Sequence, residues 1–203
     1  MGKRLFDLAA SLVALVLLAP LFVLLALAIK LDSPGPVFFR QQRVGRGGRP
    51  FAIHKFRTMV ADAPERGGAL TVGADPRITR VGRWLRDRRL DELPQFIDVL
   101  RGEMSLVGPR PEVPQYVAQY PAALRERVLS VRPGITDPAS LAFIDEARLL
   151  AASSDPERTY VDEVLPRKLS ISADYAHRAG LGTDLAVLWR TLGLLLGRRR
   201  GAP

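Results

Sequence analysis

Near its beginning, this 203-residue chain has an uncharged apolar run, LAASLVALVLLAPLFVLLALAI, at residues 8–29. As one helix, these 22 residues would extend about 33 Å, enough to cross a bilayer core of about 30 Å. A cleaved signal peptide is disfavoured because the run is long and no small-residue cleavage site follows it. The run therefore predicts a segment that resides in a membrane.

Two features of this run bear on whether it crosses the membrane. Pro20 lies in its middle, where a proline removes a helical hydrogen bond and favours a kink. Basic residues flank both ends, Lys3 before and Lys30 after, and basic flanks stay on the cytoplasmic side. Arms bent at Pro20 would reach only about 18 and 14 Å, too short to cross. We therefore expect a re-entrant helix hairpin over residues 1–31 with its break at Pro20; a straight span is the open alternative.

Charge and composition narrow the class of partner. The chain has 30 Lys and Arg against 21 Asp and Glu, a formal charge of +9. This excess favours an anionic partner, whether nucleic acid, a phosphorylated small molecule or an anionic lipid. The absence of cysteine excludes disulfides and thiolate metal sites.

The rest of the chain predicts a fold that is mainly α with a small β element. Residues 32–203 are expected to form one compact, mostly helical domain with interfacial helices. Two strands are expected at 36–44 and 50–59, joined by a glycine-rich turn. Helices are expected at 75–90, 91–102, 155–179 and 184–200, a broken helical stretch at 112–131, and a loop at 132–141.

The last predicted helix is amphipathic and ends in Arg198–Arg200. Its pattern suits core packing and a membrane interface equally well, because interfaces favour Trp and basic residues. Its apolar face comprises Leu185, Leu188, Trp189, Leu192 and Leu196.

The segment RRLDELPQFIDVLRGEMSLVGPRPE, residues 88–112, carries two adjacent carboxylates, Asp91 and Glu92. One interpretation is structural: Asp91 begins a helix as its N-cap, and Glu92 lies near the positive end of the helix dipole. That helix would end at Gly102 and bury one stripe of side chains. The stripe comprises Leu93, Phe96, Ile97 and Leu100.

The second interpretation is functional, with one carboxylate attacking and the other holding a metal or handling a proton. Nearby arginines would keep Asp91 ionised, as a nucleophilic carboxylate must be, and could bind phosphate oxygens. Arg110 is singled out because it lies between two prolines, which stiffen its loop. The nearby arginines are Arg83, Arg86, Arg88, Arg89, Arg101 and Arg110.

Several linked motifs, in order along nearly the whole chain, resemble the bacterial sugar transferase family. These proteins are monotopic polyprenol-phosphate phosphoglycosyl transferases, and the length of this chain matches the small catalytic-core type. The motifs are KFRTM (55–59), DPRITRVGRWLR (75–86), LDELPQFIDVLRGEMSLVGPRPE (90–112), RPGIT (132–136) and YVDEVLPRKLSISADY (160–175).

The resemblance implies transfer of a phospho-sugar from a UDP-sugar to polyprenyl (undecaprenyl) phosphate with release of UMP, which initiates glycoconjugate or exopolysaccharide synthesis. The nucleophile of the family falls on Asp91, which would carry the phospho-sugar covalently. The partner Glu92 falls in the Mg²⁺ site, shared with Asp91. Lys55 and Arg110 fall on positions that face substrate phosphate, and Arg132 is a weaker candidate for the same role.

The resemblance also implies where such a protein works and with what. It places the chain in the bacterial inner (cytoplasmic) membrane, with its catalytic domain on the cytoplasmic face. The expected partners are the UDP-sugar, polyprenyl phosphate and membrane lipid; nucleic acid is not expected, and a homodimer is allowed.

Two positions depart from the family pattern. Where the family usually has Ser-Pro in the membrane segment, this chain has Ala19-Pro20 and lacks a hydroxyl that could cap a freed carbonyl. The RPGIT motif continues as DPASL instead of the commoner GLWQ, which indicates a subgroup.

A function of another class remains open from the residues alone: a non-catalytic, membrane-tethered binder of anionic ligands. The dense basic run from Arg77 to Arg89 favours it. The acid pair argues against it, because carboxylates repel phosphate unless a cation or covalent chemistry uses them.

Overall fold

The computed structural model of the chain describes residues 2–67, 70–71, 73 and 75–197. The predicted basic end, Arg198–Arg200, lies outside the described residues. The described part is mainly helical with two small sheets, which confirms the predicted class.

The helices and strands alternate irregularly along the chain. The helices of the described part are α1 (Gly2–Asp32), α2 (Ala63–Arg66), α3 (Arg80–Asp87), α4 (Gln95–Arg101), α5 (Pro114–Val117), α6 (Ala122–Leu129), α7 (Pro138–Ala142), α8 (Glu146–Ala151), α9 (Pro156–Thr159), α10 (Leu165–His177) and α11 (Leu181–Gly197). The strands are β1 (Phe38–Val44), β2 (Pro50–Phe56), β3 (Ser105–Val107) and β4 (Gly134–Thr136). Short 3₁₀ turns occupy Arg46–Gly48 and Leu90–Glu92, and a π-helical turn occupies Tyr160–Val164.

Helix α1 is long and apolar enough to cross a membrane by length and composition. It continues through Pro20 as one helix, so the helix is not interrupted at the predicted break. A proline lacks only one hydrogen-bond donor, and a helix that bends at a proline can continue on both sides of it.

The N-terminal end of α1 is fixed to the globular part by buried polar contacts. Arg4 Nη2 donates to the carbonyl oxygen of Val99 at 2.8 Å. The buried Asp7 carboxylate accepts from Ser105 Oγ at 2.8 Å and from the backbone N–H of Leu106 at 3.2 Å. These bonds join the start of α1 to α4 and β3.

The C-terminal end of α1 packs against a different part of the same body. Leu25 and Ile29 are buried in one hydrophobic cluster with Phe56 of β2 and Leu85 of α3. The ring of Phe22 lies 5.0 Å from that of Phe56, centroid to centroid. Both ends of α1 therefore contact the globular part.

The two predicted strands form the antiparallel pair β1–β2, joined by the glycine-rich turn. The segment expected to be a loop, 132–141, instead contains β4 and α7. Strand β4 pairs in parallel with β3, a contact between distant segments that local sequence does not indicate. Helix α7 begins where the Asp137 carboxylate accepts from the backbone N–H groups of Ala139 and Ser140.

The structure corrects the predicted start of the helix after the acid pair. Asp91 lies in the 3₁₀ turn, α4 begins at Gln95, and Pro94 occupies the N-cap position. Asp91 therefore caps no helix. The C-terminal stop at Gly102, which adopts a positive φ of 86°, is confirmed.

The predicted stripe of α4 is only partly buried. The buried residues of the helix are Gln95, Asp98 and Val99. Leu93 and Phe96 pack instead in two hydrophobic clusters that include residues of α1. The apolar face of this segment therefore serves to hold α1.

The C-terminal helix α11 is confirmed, and its apolar face is largely exposed. Trp189 is 78% exposed, and Leu185 and Leu192 are each about half exposed. Leu188 is partly buried, and the side chain of Leu196 lies outside the described residues. The exposed part of this face is thus not used for core packing within the described residues.

The start of α11 is tied to α1 by a buried polar group. Asp184 forms an ion pair with Lys3, and Tyr175 Oη donates to Asp184 Oδ1 at 2.6 Å. Tyr175 Oη lies 3.0 Å from the carbonyl oxygen of Val107. This group places the apolar face of α11 beside the first turns of α1.

We predict that Gly134→Ala destabilises the protein, because a Cβ there would lie 2.0 Å from the backbone nitrogen of Gly108. Overpacking of this kind costs about 1–3 kcal/mol, which would lower the melting temperature by at least about 2–4 °C. Thermal unfolding in detergent measures the change.

The matched control is Gly193→Ala, where a Cβ meets no atom within 4 Å. Alanine stabilises a helix interior more than glycine does, so this control should melt at the same or a higher temperature. Equal melting temperatures for Gly134→Ala and the unmodified chain would contradict the close approach of β3 and β4.

Candidate functional site

The acid pair lies at a sharp turn between α3 and α4. Arg89 adopts a left-handed conformation, with φ of 57°, and reverses the chain into the 3₁₀ turn. Asp91 and Glu92 are each only 9% exposed. Leu90 and Leu93, on either side of the pair, pack against the cluster that holds the C-terminal end of α1. The pair is therefore fixed next to the membrane helix.

Glu92 is held by two cations from distant segments. Lys55 Nζ, on β2, donates to Glu92 Oε1 at 2.8 Å. Arg110 Nη2 donates to the same oxygen, and Arg110 Nη1 lies 3.3 Å from Oε2. Three of the residues that the resemblance singled out thus meet in one ion-pair group.

These contacts set the charge of the group. Burial favours the neutral acid, but the charges of Arg110 and Lys55 outweigh burial and hold the pKa of Glu92 well below its usual range. The Glu92 charge in turn raises the pKa of Arg110. Burial lowers the pKa of Lys55, and the Glu92 charge opposes that shift. Glu92 is therefore an ionised carboxylate in this structure.

Asp91 has a different environment from its neighbour. No hydrogen bond from the described residues reaches its carboxylate. Burial raises the pKa of Asp91, and so does the negative charge of Glu92, against the opposing charges of Lys55, Arg86 and Arg110. Burial and Glu92 thus oppose ionisation of Asp91, whereas the positive charges of Lys55, Arg86 and Arg110 favour it.

Of the six arginines near the acid pair in sequence, Arg86 and Arg110 are the ones whose charges lower the pKa of Asp91. Arg86 projects inward, with Nε 2.8 Å from Thr58 Oγ1. Arg101 instead approaches Nε2 of His54 at 3.4 Å. Arg83, Arg88 and Arg89 are exposed. Sequence spacing could not distinguish these arginines, because α3 is short and a reversal of the chain follows it.

The loop that carries Arg110 is fixed by Glu112, which sequence analysis did not single out. Tyr160 Oη donates to Glu112 Oε1 at 2.8 Å, and Arg43 lies 3.6 Å from Oε2. Arg43 Nη1 also donates to the carbonyl oxygen of Pro111 at 3.0 Å. The proline-rich loop alone therefore does not aim Arg110; a buried network behind it also contributes.

A second buried pair positions Lys55. His54 Nδ1 lies 2.6 Å from Asp98 Oδ1, and the backbone N–H of His54 donates to Asp98 Oδ2 at 2.9 Å. This pair joins β2 to α4 at the residue directly before Lys55. Neither residue carried a signal in the sequence, because 44 positions separate them.

Arg132 lies elsewhere. Its Nε donates to the carbonyl oxygen of Gly102 at 2.8 Å. The structure thus brings together Asp91, Glu92, Lys55 and Arg110 and does not join Arg132 to them.

A metal would have few protein ligands at this site. Among the described residues, no group of three or more His, Asp or Glu side chains is placed to hold a metal ion. Mg²⁺ in proteins often takes one or two carboxylates and completes its shell with water and substrate phosphates. The open Asp91 carboxylate beside Glu92 fits that manner of binding, in which the ion arrives with an anionic substrate.

Comparison with known proteins identifies related sequences over almost the whole chain. A sequence model of the family described as bacterial sugar transferase matches residues 1–198. An undecaprenyl-phosphate glucose phosphotransferase of Komagataeibacter xylinus is 52% identical over 196 residues, 94% of this chain and 35% of the relative. The match to this relative covers only about a third of its length.

Two further relatives have related names. A UDP-glucose:undecaprenyl-phosphate glucose-1-phosphate transferase of Caulobacter vibrioides is 40% identical, covering 96% of this chain and 69% of the relative. A UDP-N-acetylgalactosamine-undecaprenyl-phosphate N-acetylgalactosaminephosphotransferase of Aeromonas hydrophila is 38% identical, covering 96% of this chain and 43% of the relative. The names differ in the sugar and agree on the lipid phosphate.

We predict that Glu92→Gln destabilises the protein near neutral pH by about 3–5 kcal/mol, because it leaves Lys55 and Arg110 buried without their counter-charge. The pKa of Glu92 is depressed on folding, so its stabilisation is fully present above the ordinary glutamate pKa of 4.5 and is lost as pH falls through the folded value. The stabilities of the variant and of the unmodified chain should become equal in acid. Thermal unfolding across pH measures both effects.

Glu126→Gln is the control, since Glu126 is an exposed carboxylate on α6. Its free energy of unfolding should stay within about 0.5 kcal/mol of that of the unmodified chain at every pH. A Glu92→Gln protein as stable as this control near neutral pH would contradict the ion-pair group.

Proposed function

This chain belongs to the bacterial sugar transferase family, and from that premise we propose that it transfers a phospho-sugar from a UDP-sugar to polyprenyl phosphate with release of UMP. The observation that carries the proposal is the division between two adjacent buried carboxylates. Glu92 is neutralised by Lys55 and Arg110, whereas Asp91 keeps its oxygens free of hydrogen bonds from the described residues. A site with one free carboxylate among cations suits attack on a phosphate.

The first step forms a covalent bond to Asp91. A carboxylate oxygen of Asp91 attacks the phosphorus that bears the sugar, the bond from that phosphorus to the bridging oxygen breaks, and UMP leaves with that oxygen. The sugar phosphate is now joined to Asp91 as an acyl phosphate. In the second step, a phosphate oxygen of the polyprenyl phosphate attacks the same phosphorus, and the Asp91 carboxylate is restored.

The residues around Asp91 favour this chemistry through charge. Phosphoryl transfer depends chiefly on positioning and on neutralising the phosphate oxygens. Lys55 and Arg110 already meet at the site and would extend their contacts from Glu92 to substrate phosphate, for which the guanidinium fork is suited. Mg²⁺ held by Asp91 and Glu92 would supply further positive charge, which favours the ionised form of Asp91.

The membrane placement that we propose is re-entrant, with the globular part on the cytoplasmic face. Straight, α1 would extend about 46 Å, yet both of its ends contact the globular part, and none of the residues 12–20 is buried. A helix that leaves the body, bends at Pro20 and returns explains this distribution. The basic residues at both ends favour the cytoplasmic side.

The placement puts the acid pair near the membrane surface, where a lipid-linked acceptor would arrive. Leu90 and Leu93 beside the pair pack in the cluster that receives Leu25 and Ile29. The exposed apolar face of α11 would lie on the same surface as an interfacial helix, with Trp189 at the headgroup level. Donor and acceptor would thus meet where the domain touches lipid.

We predict that the protein in nanodiscs releases UMP from a UDP-sugar, that chelation of divalent cations abolishes the release, and that Asp91→Asn lowers it at least about 10³-fold. Asparagine removes the nucleophile and also relieves the repulsion from Glu92, so the melting temperature should stay equal or rise. UMP and UDP are separated by chromatography over a set of UDP-sugars.

Asp87→Asn provides the control, because Asp87 is an exposed carboxylate at the end of α3. It should keep the UMP release of the unmodified chain. Release of UDP would indicate glycosyl transfer in place of phospho-sugar transfer, and substantial activity of Asp91→Asn would refute the nucleophile.

A further inference from the structure

Helix α3 presents a basic face to its surroundings. This basic face of α3 consists of Arg80, Arg83, Trp84 and Arg88, all exposed. Arg88 Cζ lies 4.7 Å from the centre of the Trp84 ring, within the range of a cation–π contact. No acidic side chain of the described residues forms an ion pair with these three arginines. The exposed Asp87 lies one helical turn from Arg83, so the face keeps a net positive charge that is available to an external partner.

The opposite side of α3 determines where this face lies along the length of α1. The Asp32 carboxylate, at the end of α1, accepts from the backbone N–H of Val81 at 2.9 Å. One turn further along α3, Leu85 is buried in the cluster with Leu25 and Ile29. From Val81 to Leu85, α3 therefore runs from the polar end of α1 toward its apolar part. Trp84 and Arg88 lie toward the apolar end of that interval.

We propose that the basic face of α3 binds the headgroups of anionic phospholipids at the membrane surface. Guanidinium groups bind phosphate through paired hydrogen bonds, and Trp favours the depth of the headgroups. Basic residues close to a membrane enrich anionic lipid around them. The face thus has the charge, the aromatic side chain and the position that such lipids require.

The shape of the face favours several phospholipids over one acceptor molecule. Its arginines span residues 80–88, about 12 Å along the helix axis, which is longer than one phosphate group. The arginine of α3 that acts on Asp91 is Arg86, which projects inward to Thr58. The outward arginines are thus separate from the acid pair.

This inference rests on the membrane placement proposed above and not on the transfer chemistry. The test uses the full chain with Trp189→Phe, which leaves Trp84 as the remaining one of two tryptophans. The protein is placed in nanodiscs of phosphatidylcholine with a minor fraction of phosphatidylglycerol. Bromine, which quenches tryptophan fluorescence, is carried near the headgroup end of the acyl chains of either the phosphatidylglycerol or an equal amount of the phosphatidylcholine.

We expect brominated phosphatidylglycerol to quench Trp84 about twofold more than the same amount of brominated phosphatidylcholine, because the arginines concentrate anionic lipid. High salt should reduce this preference, since it screens exposed charges. In the triple variant Arg80→Gln, Arg83→Gln and Arg88→Gln, both brominated lipids should quench Trp84 equally. The matched control neutralises three exposed arginines on other helices, Arg125, Arg127 and Arg167, and should keep the preference.

Other outcomes overturn the proposal. Equal quenching of the unmodified face by both lipids, or no quenching by either, would mean that the face does not select anionic lipid. A preference that survives in the triple variant would assign it to other residues. Loss of the preference on adding one equivalent of polyprenyl phosphate would assign the face to the acceptor. UMP release measured in the same nanodiscs separates failure of the transfer chemistry from failure of this inference.

Discussion

The contact of Glu92 with Lys55 and Arg110 is the interaction on which the site depends. It joins three segments that are far apart in the chain: strand β2, the 3₁₀ turn after α3 and the loop after β3. A buried carboxylate with two cations is costly to dismantle, because each group would be left in a poorly solvated place without its partner. The contact therefore holds the turn in shape, and the turn presents the neighbouring Asp91 with its oxygens free.

The same turn also joins the acid pair to helix α1. Residues on either side of the acid pair belong to the hydrophobic cluster that holds the end of α1, while Arg4 and Asp7 fix its beginning to α4 and β3. A shift of α1 would thus be transmitted to the acid pair through packed side chains. Burial and the charge of Glu92 raise the pKa of Asp91, and a cation that arrives with the substrate would favour its ionised form.

Sequence alone predicted the elements whose signals are local. The β-hairpin followed from alternating segments around glycines, and the acid pair, Lys55 and Arg110 followed from the motifs around them. Local pattern could not place Arg132, which turns toward Gly102, or reveal that Asp91 caps no helix. It also could not show that His54 meets Asp98 or that Glu112 meets Tyr160. Each of these depends on pairing between segments that only the folded chain brings together.

Mass spectrometry of trapped protein would detect a sugar phosphate bound covalently to Asp91, the intermediate that we propose for the transfer. The protein is incubated with its UDP-sugar in the absence of polyprenyl phosphate, quenched and digested. We expect the peptide that contains Asp91 to gain the mass of one phospho-sugar, and we expect this gain to disappear on adding polyprenyl phosphate. The Asp91→Asn variant should never acquire it. A chain that releases UMP yet shows no adduct, or carries the adduct on another residue, would exclude Asp91 as the nucleophile.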